Sequence, residues 1–176
     1  VTPQYTDIRM ISENTKHIHV YAQHMDSLTP GRGLGSVLPE AVREAGAVGV
    51  MLNHAEKKLT LDEIEKTIAR ADEVGLATIV CADSVAEIEA IAKLSPNLIV
   101  AEPTELIGTG VASDMSYVRD TIEAVRRIDP NIMVLQGAGI STPDDVANVI
   151  RAGALATGCT SGVMKAKDPE AAARAM

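Results

Sequence analysis

Two acid–base residues stand where a parallel α/β chain does its chemistry. His54 lies in Leu52-Asn53-His54-Ala55-Glu56 and Glu102 opens Glu102-Pro103-Thr104-Glu105, each at the end of a short apolar run. A neutral imidazole can polarise a carbonyl and a carboxylate can take the proton beside it, provided both reach one substrate. Two glycine-bearing stretches follow later apolar runs: Gly137-Ala138-Gly139-Ile140-Ser141 and Thr160-Ser161-Gly162. Backbone N–H groups left bare by glycine, on a loop leading towards a helix, suit a phosphate. Together these residues point to proton abstraction beside a carbonyl in a small phosphorylated substrate. Each signal alone has a plainer meaning: a hydrogen-bonded structural histidine, a solvated loop carboxylate, turn glycines. Their order along the chain is what raises them above that.

The elements that must position these residues alternate throughout. Strand candidates are Ile18–Met25, Ala47–Leu52, Ala77–Ala82, Leu98–Glu102, Ile132–Gln136 and Ala154–Cys159. Short, nearly continuous apolar runs are expected of strands covered on both faces. The last is the poorest, because Thr157, Gly158 and Cys159 are small or polar. Between the runs, Thr60 with Glu63 and Ser84 with Glu87 have capping-box spacing. Thr142-Pro143 and Asp168-Pro169 place a capping residue before a proline at the first helical position. Leu61, Ile64, Ile68 and Ala71 share one helical face, as do Met115, Val118, Ile122 and Val125. Gly46, Gly75 and Gly153 fall where helices should stop. The expected order is a first helix over 5–13, then six βα units, with right-handed crossovers in a parallel sheet. Pattern alone does not separate a barrel from an open doubly wound sheet. Gly31, Gly33 and Gly35 alternate, but no strand feeds directly into them and no phosphate-loop lysine follows, so they read as a flexible loop.

Composition narrows the class. The chain of 176 residues is 46% apolar, enough for one domain with a sizeable core but short of the roughly 250 residues of an eight-fold β/α barrel. Phe and Trp are absent, so the core is aliphatic, with Met as gap-filler. A net charge of −8 without a basic cluster longer than Lys57-Lys58 argues against nucleic acid. No apolar run is long enough to span a membrane, and no signal peptide opens the chain, so the cytoplasm is the expected compartment. Cys81 and Cys159, both in apolar segments, read as reduced thiols rather than a disulfide or a metal site.

Read in order, these motifs resemble triosephosphate isomerase. Asn53-His54-Ala55-Glu56 is similar to the family's electrophile segment, and Glu102-Pro103 through Ile107-Gly108-Thr109-Gly110 to its catalytic glutamate and hinged lid, in wording closest to the archaeal branch. Ala22-Gln23-His24, Cys81, Gly137–Ser141 and Ser161-Gly162-Val163 also fall in family order. The resemblance implies an incomplete TIM (β/α)8 barrel with about six parallel strands, forming a single domain over 1–176. It implies that Glu102 shuttles protons between C1 and C2 of dihydroxyacetone phosphate and D-glyceraldehyde 3-phosphate, a step of glycolysis and gluconeogenesis. Neutral His54 would polarise the carbonyl and stabilise the enediolate; the resemblance, not the spacing, supplies that division of labour. Pro103–Gly110 would close as a lid and exclude water. Gly108, Gly139, Ser141, Ser161 and Gly162 would hold the phosphate through backbone N–H groups. No metal and no organic cofactor is implied.

The chain also departs from the family. Val1-Thr2-Pro3-Gln4 reads like the interior of a domain and matches the end of the family's second strand. The first strand, with its Asn-x-Lys motif, has no counterpart, and Lys57 and Lys58 read as solvated loop charges. Leu34 stands where the family has a threonine that enters the neighbouring subunit, and Ala55 where a serine usually follows the histidine. The expectation is therefore an isomerase that is weak or inactive as this isolated polypeptide. The alternative is a non-catalytic phosphate-binding or self-assembling scaffold on a decayed barrel; a different phosphate-binding barrel enzyme fits less well, given His54, Glu102 and the whole lid loop. Six strands would leave edges at Ile18–Met25 and Ala154–Cys159, which predicts a homo-oligomer paired through them.

Overall fold

A computed structural model describes residues 1–176. The chain forms two compact units, Val1–Val80 and Cys81–Met176.

In the first unit a 3-10 turn (Tyr5–Asp7) leads into α1 (Ile8–Asn14), followed by β1 (Tyr21–Ala22), α2 (Pro39–Glu44), β2 (Gly49–Leu52), α3 (Leu61–Val74) and most of β3 (Ala77–Ala82). β1, β2 and β3 are parallel and adjacent in chain order, with Tyr21 opposite Gly49 and Val50 opposite Thr78. Gly49 is required there: a Cβ would meet the Ala77 carbonyl and the Tyr21 ring. α3 is bounded as its sequence demands. Thr60 and Glu63 make the reciprocal capping box, and Gly75 closes the helix at φ +73°. Its buried face is Ile64, Thr67, Ile68, Ala71 and Val74, while Leu61 is half exposed, so the stripe lies further along the helix than its first apolar residue suggested. Burying such side chains stabilises by roughly 1.5–3 kcal/mol each, as an upper estimate. Arg70 is the polar exception, buried on the same helix. It donates to the Leu28 carbonyl (3.0 Å), to Glu73 (3.0 Å) and to Glu40 on α2, tying the 27–36 loop to two helices.

The second unit holds the end of β3, α4 (Val85–Ala92), β4 (Leu98–Ala101), a 3-10 turn (Thr104–Leu106), α5 (Met115–Ile128), β5 (Met133–Gln136), α6 (Pro143–Arg151), β6 (Ala156–Thr157), α7 (Ser161–Met164) and α8 (Pro169–Ala175). β4, β5 and β6 are again parallel neighbours in chain order. α5 packs on α4, burying Val118, Thr121, Ile122, Ala124 and Val125. Thr142 and Asp145 form a second full capping box on α6. Ser84 caps α4, but Glu87 reaches back to the N–H of Asp83 rather than to that of Ser84.

Two expected strands are much shorter than their apolar runs. Ile18–Met25 contributes only Tyr21–Ala22, and Ala154–Cys159 only Ala156–Thr157. A strand needs ladder partners for its backbone, which apolar content does not supply. Nor is β1 a bare edge. Tyr21 N–H donates to the Val1 carbonyl (2.8 Å), the Val1 amine to the His19 carbonyl (2.8 Å), and Gln23 Nε2 to the Thr2 carbonyl (3.3 Å). Residues 1–2 thus run beside it, which corrects the expectation of an unpaired edge there. β6 stands at the other end of the strand order, with Leu155 beside it 64% exposed. No helix is long and apolar enough to cross a membrane. Cys81 and Cys159 are free thiols, the first buried and the second half-buried with its Sγ 3.4 Å from Met176 Sδ.

Candidate active site

In the first unit the residue that aims the histidine is Asn53. It is buried at the end of β2 with φ +58°, a left-handed turn that Asn tolerates better than most residues. Its Oδ1 accepts the N–H of Leu59 (2.9 Å), so the 54–59 turn is strapped to the strand end. His54 follows, half-buried. Its Nδ1 accepts the N–H of Glu56 at 3.3 Å. Glu56 Oε2 also lies 3.7 Å from the same nitrogen, which would favour a proton there. The backbone bond decides the matter: that carboxylate is 91% exposed and beyond hydrogen-bond reach. With Nδ1 as acceptor, a neutral ring carries its proton on Nε2, the form that can donate to a carbonyl oxygen.

A cavity of about 210 Å³ in this unit is lined by His24, Asp26, Glu63, Thr67 and the start of the 27–36 loop. His24 Nε2 is 3.3 Å from Asp26 Oδ1. Burial pushes the His24 pKa down, against the pull of Asp26. Asp26 also accepts the N–H of Val37 (2.7 Å) while its own N–H donates to the Val37 carbonyl (3.0 Å), which closes the base of the loop. At the tip of that loop Leu34 projects fully into solvent.

Glu102, Gly108, Gly139, Ser141, Ser161 and Gly162 all lie in the second unit, the first four in the segments after β4 and β5, Ser161 and Gly162 in the first turn of α7 after β6. Glu102 is half-buried. Its N–H donates to the Ala82 carbonyl (2.8 Å), and its Oε1 accepts the N–H of Ala138 (3.1 Å). Gly137 makes this approach possible, since a Cβ there would stand 3.0 Å from Glu102 Oε1 and from Val100 Cγ1. Ala138 holds φ +59°, a conformation costing a residue with a Cβ on the order of 1 kcal/mol. That strained residue presents the N–H that meets the glutamate. Gly139, at φ +70°, lies directly under the Val111 carbonyl, so the end of the 103–110 loop is seated on the β5 loop. Gly162 in turn packs on Ser141: a Cβ on it would be 2.9 Å from Ser141 Cα. The loops after β4 and β5 and the start of α7 therefore touch through glycines.

The N–H of Ser141 donates to Asp145 Oδ2 (3.1 Å), which also accepts from the N–H (2.8 Å) and hydroxyl (2.8 Å) of Thr142. Those bonds hold the Asp145 carboxyl below the usual range despite partial burial. The Ser141 hydroxyl donates to the Gly139 carbonyl (3.1 Å). Beside Glu102, Tyr117 OH donates to the Asp83 carbonyl (2.6 Å), and burial together with Asp83, Glu105, Glu87 and Glu102 pushes its pKa up.

The sequence reading missed Asn53, Asp83, Tyr117, Ala138 and Asp145. Two left weak signals: an Asn directly before a strand-end His suits a left-handed turn, and an Ala between two glycines invites one. Asp83 and Tyr117 meet partners remote in sequence, and Asp145 serves the neighbouring Ser141 and Thr142.

Comparison with known proteins gives the family. The family description triosephosphate isomerase matches residues 1–175. The triosephosphate isomerase of Methanocaldococcus jannaschii is 44% identical over 99% of this chain and 80% of its own length. Those of Methanobacterium bryantii and Methanothermus fervidus are 42% and 41% identical over 98% of the chain and 77% and 78% of their own lengths. The six parallel strands and intervening helices are thus βα units of an incomplete TIM barrel. On the extent and level of these matches, the chain belongs to the triosephosphate isomerase family.

Proposed function

We propose that this chain interconverts dihydroxyacetone phosphate and D-glyceraldehyde 3-phosphate through an enediolate, with Glu102 as the base and His54 as the electrophile. Family membership supports the reaction. The observation that carries the assignment of Glu102 is its carboxylate held at a β4 strand end by the N–H of strained Ala138. The Nδ1-accepting His54 supports the electrophile, because its Nε2–H is then the donor. Gly108, Gly139, Ser141, Ser161 and Gly162 surround the phosphate, with the Ser141 N–H freed from Asp145 when the anion enters. Pro103–Gly110 closes over the substrate and excludes water.

Residues 1–176 contain no lysine in an Asn-x-Lys context at a strand end; the one such run, Asn14-Thr15-Lys16, leaves the end of α1. By themselves they are therefore expected to turn over slowly, about 10²–10³-fold below a relative of full family length, the usual effect of lacking one electrostatic stabiliser. The test is turnover of glyceraldehyde 3-phosphate beside such a relative, with titration of 2-phosphoglycolate. Binding of the analogue with measurable but slow turnover is the expected result. Binding with no enolisation at all would favour the non-catalytic scaffold.

The same reading includes self-association through the β6 end of the strand order, where exposed Leu155 adjoins a two-residue strand. Sedimentation at micromolar concentration is expected to report a dimer or larger. Leu155→Lys should shift it to monomer; a compact monomer in the unaltered chain overturns the idea.

A further inference from the structure

Asp83 is gripped from three directions. Its N–H donates to Glu87 Oε2 (2.7 Å), its carbonyl accepts Tyr117 OH (2.6 Å), and its Oδ1 accepts the N–H of Thr104 (3.3 Å). Thr104 opens the 3-10 turn that begins the loop after Glu102. One residue before Asp83, the Ala82 carbonyl takes the N–H of Glu102 itself. Between those two anchored amides lies Pro103, buried, with a fixed φ and no N–H to donate. The segment Glu102-Pro103-Thr104 is thus pinned at both ends to consecutive residues, with a stiff residue in the middle.

We propose that Asp83 is a positioning residue that latches the first turn of the 103–110 loop through Thr104 and thereby fixes the backbone from which the Glu102 carboxylate projects. Tyr117 holds the carbonyl of Asp83 so that its side chain faces the loop. This rests on the reading of Glu102 as the base and of the loop as a lid. Without the latch, the peptide after Pro103 is free to turn, while the bonds of Glu102 to Ala82 and Ala138 remain. The device needs a side-chain oxygen acceptor at residue 83, not a charge.

Residue-resolved amide exchange on the 176-residue chain and on Asp83→Ala, Asp83→Asn and Tyr117→Phe tests this. In Asp83→Ala the Thr104 amide should exchange roughly fivefold to tenfold faster, the scale of one lost hydrogen bond, with core amides such as Ile88 and Val118 unchanged. Asp83→Asn should restore most of the protection, and Tyr117→Phe should give an intermediate rate. In enolisation assays Asp83→Ala should lower kcat more than it raises KM, with rescue by Asn. An unchanged Thr104 rate in Asp83→Ala, or an Asn variant as fast as the Ala variant, overturns the latch. Should Asp83→Ala fail to fold, a Tyr117→Phe chain with parental Thr104 exchange overturns it equally. Failure of the unaltered chain to bind 2-phosphoglycolate would instead remove the isomerase reading, while the Thr104 rates still decide the latch.

Discussion

Glu102→Gln is expected to abolish the exchange of the C1 hydrogen of dihydroxyacetone phosphate with D2O, a loss of about 10²–10⁴-fold or down to the uncatalysed background. Hydrogen exchange reads proton abstraction alone, so it reports the base even where net turnover is slow. Gln preserves the geometry: its side-chain oxygen can still accept the N–H of Ala138, and its backbone N–H can still donate to Ala82. What it removes is the lone pair basic enough to take a carbon-bound proton. Thermal stability should therefore stay within a few degrees of the parent, since a hydrogen bond is kept and one half-buried charge is lost. Parental exchange in Glu102→Gln would mean that another group is the base.

The largest stability effect is expected at Gly139. Replacement by Ala puts a Cβ on a backbone at φ +70° and into the Val111 carbonyl. The first term costs about 1 kcal/mol, and the second forces the 110–112 segment off the β5 loop, for a total on the order of 2–4 kcal/mol. Gly108→Ala is the control: its φ is +75°, but nothing lies near its missing Cβ, so only the conformational term of about 1 kcal/mol applies. Urea unfolding read from amides in residues 81–176 should separate the two variants by at least 1 kcal/mol. Equal destabilisation would show that the loop yields without cost and is not held by that contact.

His54 and Glu102 could be singled out from the chain because strand ends are marked locally. An apolar run stops, and Glu102 follows at once and His54 one residue later. The helices were equally plain. Thr60 with Glu63 and Thr142 with Asp145 satisfy their own first turns within four residues, so nothing distant can overrule them. The run over 77–82 became β3 unchanged because both its faces are covered.

Other features were decided only in three dimensions. The runs over 18–25 and 154–159 kept two strand residues each, because ladder bonds depend on a partner's backbone and not on side-chain hydrophobicity. Val1 and Thr2 lie beside β1 by bonds that no local pattern announces. Thr104 to Asp83, Tyr117 to Asp83 and Ala138 to Glu102 join residues 21, 34 and 36 positions apart. Amino-acid order by itself therefore determined which acid–base side chains stand at strand ends and where the helices are capped, since those are properties of short segments. Tertiary structure decided what holds each group in place, since a single acceptor or a missing Cβ has meaning only once another part of the chain has come up against it.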